Sequence, residues 1–231
     1  MAYALHRLER NDEAVEKTHA ACQIFSEIDS PRLFMARRNM GVFLNEAARF
    51  EESAQLFAEI IRARPFDDEE IDLGRDLLNL GFALEKLEHY DKAIDLLKQS
   101  RAIAKAESVV PMALYCDVAL AHAYLKTGQF DMALTTATLA VEEATLCADQ
   151  QKLLESLTIR ARGYVAQKNY EQALFDLRGG KDLYIKNEMD PKWSLVLDAE
   201  AVIAEIFELQ GDGERAREVR SRIALITESS M

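Results

Sequence analysis

Small and aromatic residues recur along the chain at a fixed spacing, within stretches whose apolar positions follow the helical period. In the clearest copy, Gly81 is followed nine positions later by Tyr90 and twelve positions later by Ala93. Successive copies lie about 40 residues apart, a period typical of arrays whose units bury their apolar faces against their neighbours. Because two antiparallel helices cross closely only where side chains are small, each copy predicts a helix pair with the aromatic at its turn. The other copies are Gly41, Phe50 and Ser53; Ala121, Phe130 and Ala133; Ala161, Tyr170 and Ala173; and, more weakly, Ala204, Gly213 and Ala216, and Ala2, Asn11 and Ala14.

This pattern resembles the tetratricopeptide repeat (TPR), in which a leucine or aromatic follows the first small residue by three positions. The resemblance covers the whole chain, and it departs from the family in its period, which is about 40 rather than 34 residues. It implies an all-α, right-handed solenoid of antiparallel helix pairs, a TPR-like superhelix with lengthened second helices. Repeats of this length resemble those of peptide-sensing bacterial regulators, signalling-protein sensor domains, and eukaryotic cargo and spindle adaptors. The residues at the third position are Leu44, Leu84, Tyr124, Tyr164 and Phe207.

The repeat predicts one solenoid over residues 1–231, made of six helix pairs. Ala2 already occupies the first small position, so the first pair is expected to lack its beginning, as in an excised segment or an unusual natural terminus. The predicted repeats are 1–30 (incomplete), 31–66, 67–110, 111–149, 150–190 and 191–231.

Prolines are expected at the joints between the pairs. Pro31, Pro111 and Pro191 each fit the first turn of a first helix, where the missing N–H leaves no bond unmade. Pro65 is expected to end a second helix, and Trp193 is expected to pack onto the preceding repeat.

Two further local signals bear on the helices. Asp67 and Glu70 have the spacing of a capping box, with an electrostatic docking patch as the alternative. Gly180 falls where the other copies carry mostly small residues and therefore suits close packing, whereas Gly179 does not. Two adjacent glycines weaken a helix by about 1–2 kcal/mol relative to alanines, so a kink or a hinge is the alternative there.

Composition narrows the classes of function. The chain is 49% hydrophobic with only nine glycines and four prolines, which is typical of a folded, mostly helical protein. Its net charge of −12 argues against nucleic acid as the main partner, and no apolar run is long enough to span a membrane. Three cysteines without C-x-x-C spacing are typical of free thiols packed as small core residues, which predicts a cytoplasmic protein.

No motif points to catalysis. The four histidines are scattered, and the metalloprotease, nucleophile-elbow and phosphate-binding signatures do not occur. The 40 acidic residues are expected on solvated helix faces. We therefore predict no enzyme activity, no metal and no cofactor.

The resemblance implies that ligands contact the exposed stripe of the first helices, which line an inner groove. Asn39 and Asn79 repeat at one position there, and a side-chain amide suits the backbone of an extended peptide; the alternative is that each amide bonds a neighbouring helix. Cations and aromatics on the same stripe predict an acidic ligand, unless they pair with Glu46, Glu85 and Glu155. The candidate peptide-binding residues are Arg38, Asn39, Arg75, Asn79, Phe82, Tyr115, His122 and Arg162.

These features predict a protein- or peptide-binding scaffold without catalysis. The alternative is a sensory or self-associating TPR domain of a larger signalling protein or transcription regulator, acting as a homodimer. In either case the partner is a protein or peptide, and neither nucleic acid nor membrane is expected.

Overall fold

A computed structural model describes residues 10–28, 30, 32–64, 69–187 and 193–229 of the chain. Several sequence predictions lie outside the described residues. They are the first small position at Ala2, the joints at Pro31, Pro65 and Pro191, the cap at Asp67, and the packing of the Trp193 side chain.

The described residues form helices joined by short turns, with no strand among them. Pro111 is the second residue of its helix, in the first turn as predicted. The helices are α1 (Asn11–Glu27), α2 (Arg32–Glu46), α3 (Phe50–Arg62), α4 (Glu70–Lys86), α5 (Tyr90–Ala106), α6 (Val110–Lys126), α7 (Phe130–Leu146), α8 (Gln150–Ala166), α9 (Tyr170–Asn187), α10 (Trp193–Leu209) and α11 (Gly213–Ser229).

The repeated trio marks the helix crossings, as the sequence predicts. The second helices α3, α5, α7 and α9 each begin at the aromatic of their copy. A Cβ added at Gly41 would lie 2.5 Å from the ring of Phe57, and one added at Gly81 would lie 2.8 Å from Leu97. The small residues are therefore required by close packing between the two helices of a pair.

In the five pairs from α2–α3 to α10–α11, the turn inside the pair uses one residue with a left-handed backbone. In three turns this residue is not glycine: Ala48, Glu88 and Lys168 have φ of 56°, 62° and 60°. Gly128 takes the same conformation at φ 74°, with no steric penalty. The backbone N–H of the residue after this one donates, over 2.8–2.9 Å, to the carbonyl of the residue three positions after the first small residue. This hydrogen bond closes the first helix of the pair. These bonds run from Arg49 to Leu44, His89 to Leu84, Gln129 to Tyr124, Asn169 to Tyr164, and Asp212 to Phe207.

The chain forms two compact units, Met1–Met112 and Ala113–Met231. In the first unit, neighbouring helices from α1 to α5 pack in sequence, around a core that includes Phe43, Phe57 and Leu80. The first helices α2 and α4 also contact each other.

In the second unit, one core cluster joins residues of α6, α7 and α8, and a second joins α8 to α11. Leu154 and Tyr184 are among the fully buried side chains of that second cluster. As in the first unit, two first helices contact each other, here α8 and α10. In each unit, therefore, two first helices lie next to each other.

The two adjacent glycines lie in a helix that continues unbroken through α9. A Cβ at Gly180 would lie 2.5 Å from Leu157, so this glycine serves close packing as predicted. Gly179 is exposed, and nothing lies within 4 Å of its added Cβ.

Candidate binding surface

Arg38 connects α2 to α4 through a buried carboxylate. Its Nε lies 3.0 Å from both carboxylate oxygens of Asp76, and its Nη2 lies 2.9 Å from Oδ2. Its Nη1 donates to Asp72 over 3.2 Å, and its guanidinium lies 4.9 Å from the centre of the Phe34 ring. Because the Asp76 side chain is only 2% exposed, the arginine supplies the counter-charge that this burial requires.

Arg75 carries its charge at the surface of α4. Its Nη1 donates to Asp72 over 2.9 Å, and its side chain is 59% exposed. Asp72 thus receives both Arg38 and Arg75, and Arg75 is the more accessible of the two cations.

The two candidate asparagines lie on facing first helices. The Nδ2 of Asn79 donates to the carbonyl of Arg75 over 2.8 Å, within its own helix, while Asn39 is half-buried on α2. A further asparagine, which the sequence prediction omitted, donates its amide to the neighbouring first helix. Asn45, four positions after Gly41, is buried on α2 and donates to the backbone oxygen of Asn79 over 3.2 Å.

Phe82 belongs to a small patch of rings and positive charge. Its ring meets that of Phe50 edge-on, with centroids 6.2 Å apart and an interplanar angle of 73°. The Nζ of Lys86 lies 5.1 Å from the centre of the Phe82 ring. This patch provides an apolar surface beside a cation, at the end of α4.

Tyr115 and Lys152 form a corresponding contact in the second unit. The Nζ of Lys152 lies 4.7 Å from the centre of the Tyr115 ring and 2.7 Å from Oε2 of Glu155. Burial, the largest influence, lowers the pKa of Lys152, but Glu155, Tyr115 and Asp149 together outweigh it, so the pKa lies above its usual value. Tyr115 remains 46% exposed, and His122 on the same helix is half-buried.

Arg162 bridges α8 and α10. Its Nη2 donates to Oδ1 of Asp198 over 2.6 Å, and the two side chains are 39% and 53% exposed. Like Arg38, it reaches an aspartate on the next first helix. Two of the candidate cations therefore each connect adjacent first helices within one unit.

The structure brings the candidates together in two groups. Arg38, Asn39, Arg75, Asn79 and Phe82 lie on the contacting helices α2 and α4 of the first unit. In the second unit, Arg162 reaches α10 from α8, and Tyr115 on α6 contacts Lys152 on α8.

The partners of the arginines differ from those considered on sequence. They are Asp72, Asp76 and Asp198, whereas Glu155 pairs with Lys152. One feature of the sequence indicates these partners: an aspartate follows the arginine by just under the repeat period of about 40 residues. Asp76 follows Arg38 in this way, and Asp198 follows Arg162.

The sequence predicts the acidic residues on solvated helix faces, and for several of them this prediction is wrong. Asp176 is buried and accepts from Nε and Nη2 of Arg160 over 2.7 and 2.8 Å. Glu200 is 1% exposed and accepts from Lys181 and Arg222 over 2.8 and 2.9 Å. Burial raises the pKa of Glu200, but these two cations outweigh it, so the pKa lies below its usual value.

The cysteines are free thiols. Cys116 is fully buried, and burial raises the pKa of Cys22 despite the nearby Arg37. A raised pKa makes a thiol less reactive at neutral pH. Within the described ranges, no group of three or more His, Cys, Asp or Glu could hold a metal ion. No helix in the described part of the chain is long and apolar enough to cross a membrane.

The fold is shared with solved structures. A putative kinesin light chain from Podosopora anserina, with nearly identical TPR-like repeats, is similar over 87% of this chain and 98% of its own, at 17% identity and a TM-score of 0.67. BtubC (BKLC) from P. vanneervenii is similar over 96% of this chain and 92% of its own, at 14% identity and a TM-score of 0.76.

A Rap protein complexed with Competence and Sporulation Factor is similar over 98% of this chain and 74% of its own, at 10% identity and a TM-score of 0.73. No family model and no curated protein matches the sequence. The structural likenesses confirm the predicted all-α, TPR-like solenoid fold.

Proposed function

We propose that this TPR-like chain is a non-catalytic scaffold that binds a protein or peptide on the exposed face of its first helices. The observation that supports this most directly is the row of accessible polar and aromatic side chains on the contacting helices α2 and α4. The likeness to a Rap protein that was solved with a bound factor agrees with such a role. The free thiols support a reducing compartment, and we place the protein in the cytoplasm.

The ligand's backbone is held by the asparagines in this proposal. A side-chain amide has two N–H donors and an acceptor oxygen with two lone pairs, and Asn79 uses one donor within its own helix. Its remaining capacity suits an extended segment, whose backbone offers donors and acceptors in alternation. The partly exposed Phe82 ring supplies the apolar contact in the first unit, and in the second unit the partly exposed Tyr115 ring supplies that of its own group.

In each unit, the cations give the exposed face of the first helices a preference for acidic groups. Arg75 and Arg162 are the accessible ones, and each already pairs with an exposed or half-buried aspartate. Breaking such a pair to admit a ligand carboxylate costs little, because surface ion pairs contribute only about 0–1 kcal/mol. Arg38 is bound to buried Asp76, so its part is to hold α2 against α4 rather than to reach the ligand.

A peptide array tests this proposal. The probes are peptides of matched length and hydrophobicity that carry acidic, neutral or basic side chains. We expect the wild-type protein to favour the acidic series, and the double variant Arg75→Ala, Asn79→Ala to lose at least about tenfold in affinity, which corresponds to 1.4 kcal/mol.

The matched control is Gln55→Ala, Arg62→Ala, which removes an exposed amide and an exposed arginine from the second helix α3 of the same unit. Circular dichroism establishes that both double variants keep their helicity. Equal binding by the wild-type protein and the Arg75, Asn79 variant would reject the assigned surface.

A further inference from the structure

Four charged side chains on α2 and α4 alternate in sign from the interior of the first unit to its surface. Asp76 is at the buried end, and Arg38, Asp72 and Arg75 follow it. The hydrogen bonds that join successive members are 2.9, 3.2 and 2.9 Å long. The exposed fraction of the side chain rises along the series, from 2% and 17% to 30% and 59%. The series therefore ends at the surface on the cation of Arg75.

Asp72 brings to Arg75 the same chemical group that an acidic ligand would bring. Its Oδ1 accepts from Nη1 of Arg75 over 2.9 Å, and its Oδ2 accepts from Nη1 of Arg38 over 3.2 Å. Because Asp72 and Arg75 are three residues apart on one helix, their side chains are neighbours on its surface. A ligand carboxylate that takes the Arg75 guanidinium for itself must therefore displace an aspartate that is already in place.

Arg38 keeps Asp72 in position for this competition. The guanidinium of Arg38 is fixed by its three contacts of 2.9–3.0 Å with buried Asp76. If Arg75 turned towards a ligand, Asp72 would keep its bond to Arg38, so its carboxylate would not be left without a cation. Asp72 would thus stay beside Arg75 and take it back when the ligand leaves.

We propose that Asp72 is a built-in competitor that lowers the affinity of Arg75 for the acidic groups of the ligand. The alternating series carries the proposal, because it presents an anchored carboxylate to the more accessible of the two cations. This inference rests on the proposed function and deepens it, since Arg75 provides the attraction and Asp72 limits its strength. Binding of a single ligand carboxylate is then weak, because the gain at Arg75 is offset by the loss of the Asp72 pair.

Fluorescence polarisation of the full chain with two labelled peptides tests the proposal. The first is the peptide of the acidic series that the wild-type chain binds most tightly, and the second has glutamine in place of every acidic residue. Both have amidated C-termini. We expect Asp72→Asn to bind the acidic peptide about two- to fivefold more tightly, where fivefold corresponds to about 1 kcal/mol. Its affinity for the glutamine peptide should not change, because that peptide has no carboxylate to compete with Asp72.

Two controls separate this competition from a change in net charge. Asp95→Asn removes the same charge from an exposed position on the second helix α5 of the same unit, and it should bind as the wild type does. Asp72→Glu keeps a carboxylate beside Arg75, and it should lack the gain of Asp72→Asn. Circular dichroism and the melting temperature establish that each variant is folded.

A double-mutant cycle tests whether Asp72 acts through Arg75. In the Arg75→Ala background the aspartate has no such cation to occupy, so Asp72→Asn should lose most of its gain. An equal gain in both backgrounds would mean that Asp72 only repels the ligand, and it would overturn the proposal.

Unchanged or weaker binding of the acidic peptide by folded Asp72→Asn would also overturn the proposal. The proposed function would then still stand on the loss of binding in the Arg75, Asn79 variant. If neither the wild-type chain nor Asp72→Asn binds any acidic peptide, the proposed function fails and this inference fails with it.

Discussion

Arg38 on α2 and Asp76 on α4 form an ion pair in which the arginine Nε lies 3.0 Å from each carboxylate oxygen. The aspartate is almost fully buried, so its charge requires a counter-charge, and this arginine of the preceding first helix supplies one. The pair fixes the distance between the two helices that carry the first unit's candidate residues.

Removal of one partner of this pair should therefore destabilise the protein strongly. We expect Arg38→Ala to lower the free energy of unfolding by about 3–5 kcal/mol, because it removes the Arg38 counter-charge from the buried Asp76 carboxylate. Arg75→Ala, at an exposed ion pair, should change it by under about 1 kcal/mol. Urea unfolding measures both, and similar losses in the two variants would contradict the structural role given to Arg38.

The glycines should separate into two classes on substitution. Gly179→Ala should raise the free energy of unfolding by about 1 kcal/mol, because it improves helix propensity without meeting another atom. Gly41→Ala should lower it by about 1–3 kcal/mol, because the new methyl group would overlap the buried Phe57 ring. Thermal unfolding measures both variants, and a change of the same sign in the two would be the contrary result.

The left-handed turn residues offer a reciprocal pair of substitutions. Lys168→Gly should stabilise the protein by about 1 kcal/mol, since its φ of 60° is unfavourable for a residue with a Cβ. Gly128→Ala, at φ 74° in the equivalent turn, should destabilise it by a similar amount. Chemical denaturation gives both values, and Ala48→Gly serves as a repeat of the first test.

Glu200 should contribute a dependence of stability on pH. Its folded pKa lies below the unfolded value of about 4.3, so the unfolded chain binds more protons as the pH falls through this range. The stabilisation is complete above about pH 5 and is lost as the pH drops towards the folded pKa. In Glu200→Gln this contribution is missing, so the difference in unfolding free energy between wild type and variant should shrink with acidification.

A matched control for this titration is Glu52→Gln. A hydrogen bond from Arg49 also lowers the pKa of Glu52, but both side chains are exposed. Its effect at neutral pH should be small, because water already screens the pair. If the difference between wild type and Glu200→Gln were constant with pH, the buried carboxylate would not be the titrating group.

The repeat allowed the helices to be predicted closely because the determining contacts are local. The aromatics Phe50, Tyr90, Phe130 and Tyr170 each begin a helix, since every copy repeats the same turn and crossing. The candidate site was predicted less completely. The arginines were recognised, but their aspartate partners were not, because an ion pair between first helices joins residues nearly a full repeat apart.

What the sequence determined by itself is the succession of helix pairs, because small residues at fixed positions permit one close crossing in each. Only the tertiary structure decided which charges are neutralised and which remain accessible. Arg38 and Arg75 both lie on the predicted stripe, yet one is bound to a buried acid and the other faces solvent. The physical reason is that burial depends on the neighbouring helices, and a helix's own sequence does not specify how deeply those helices cover each of its side chains.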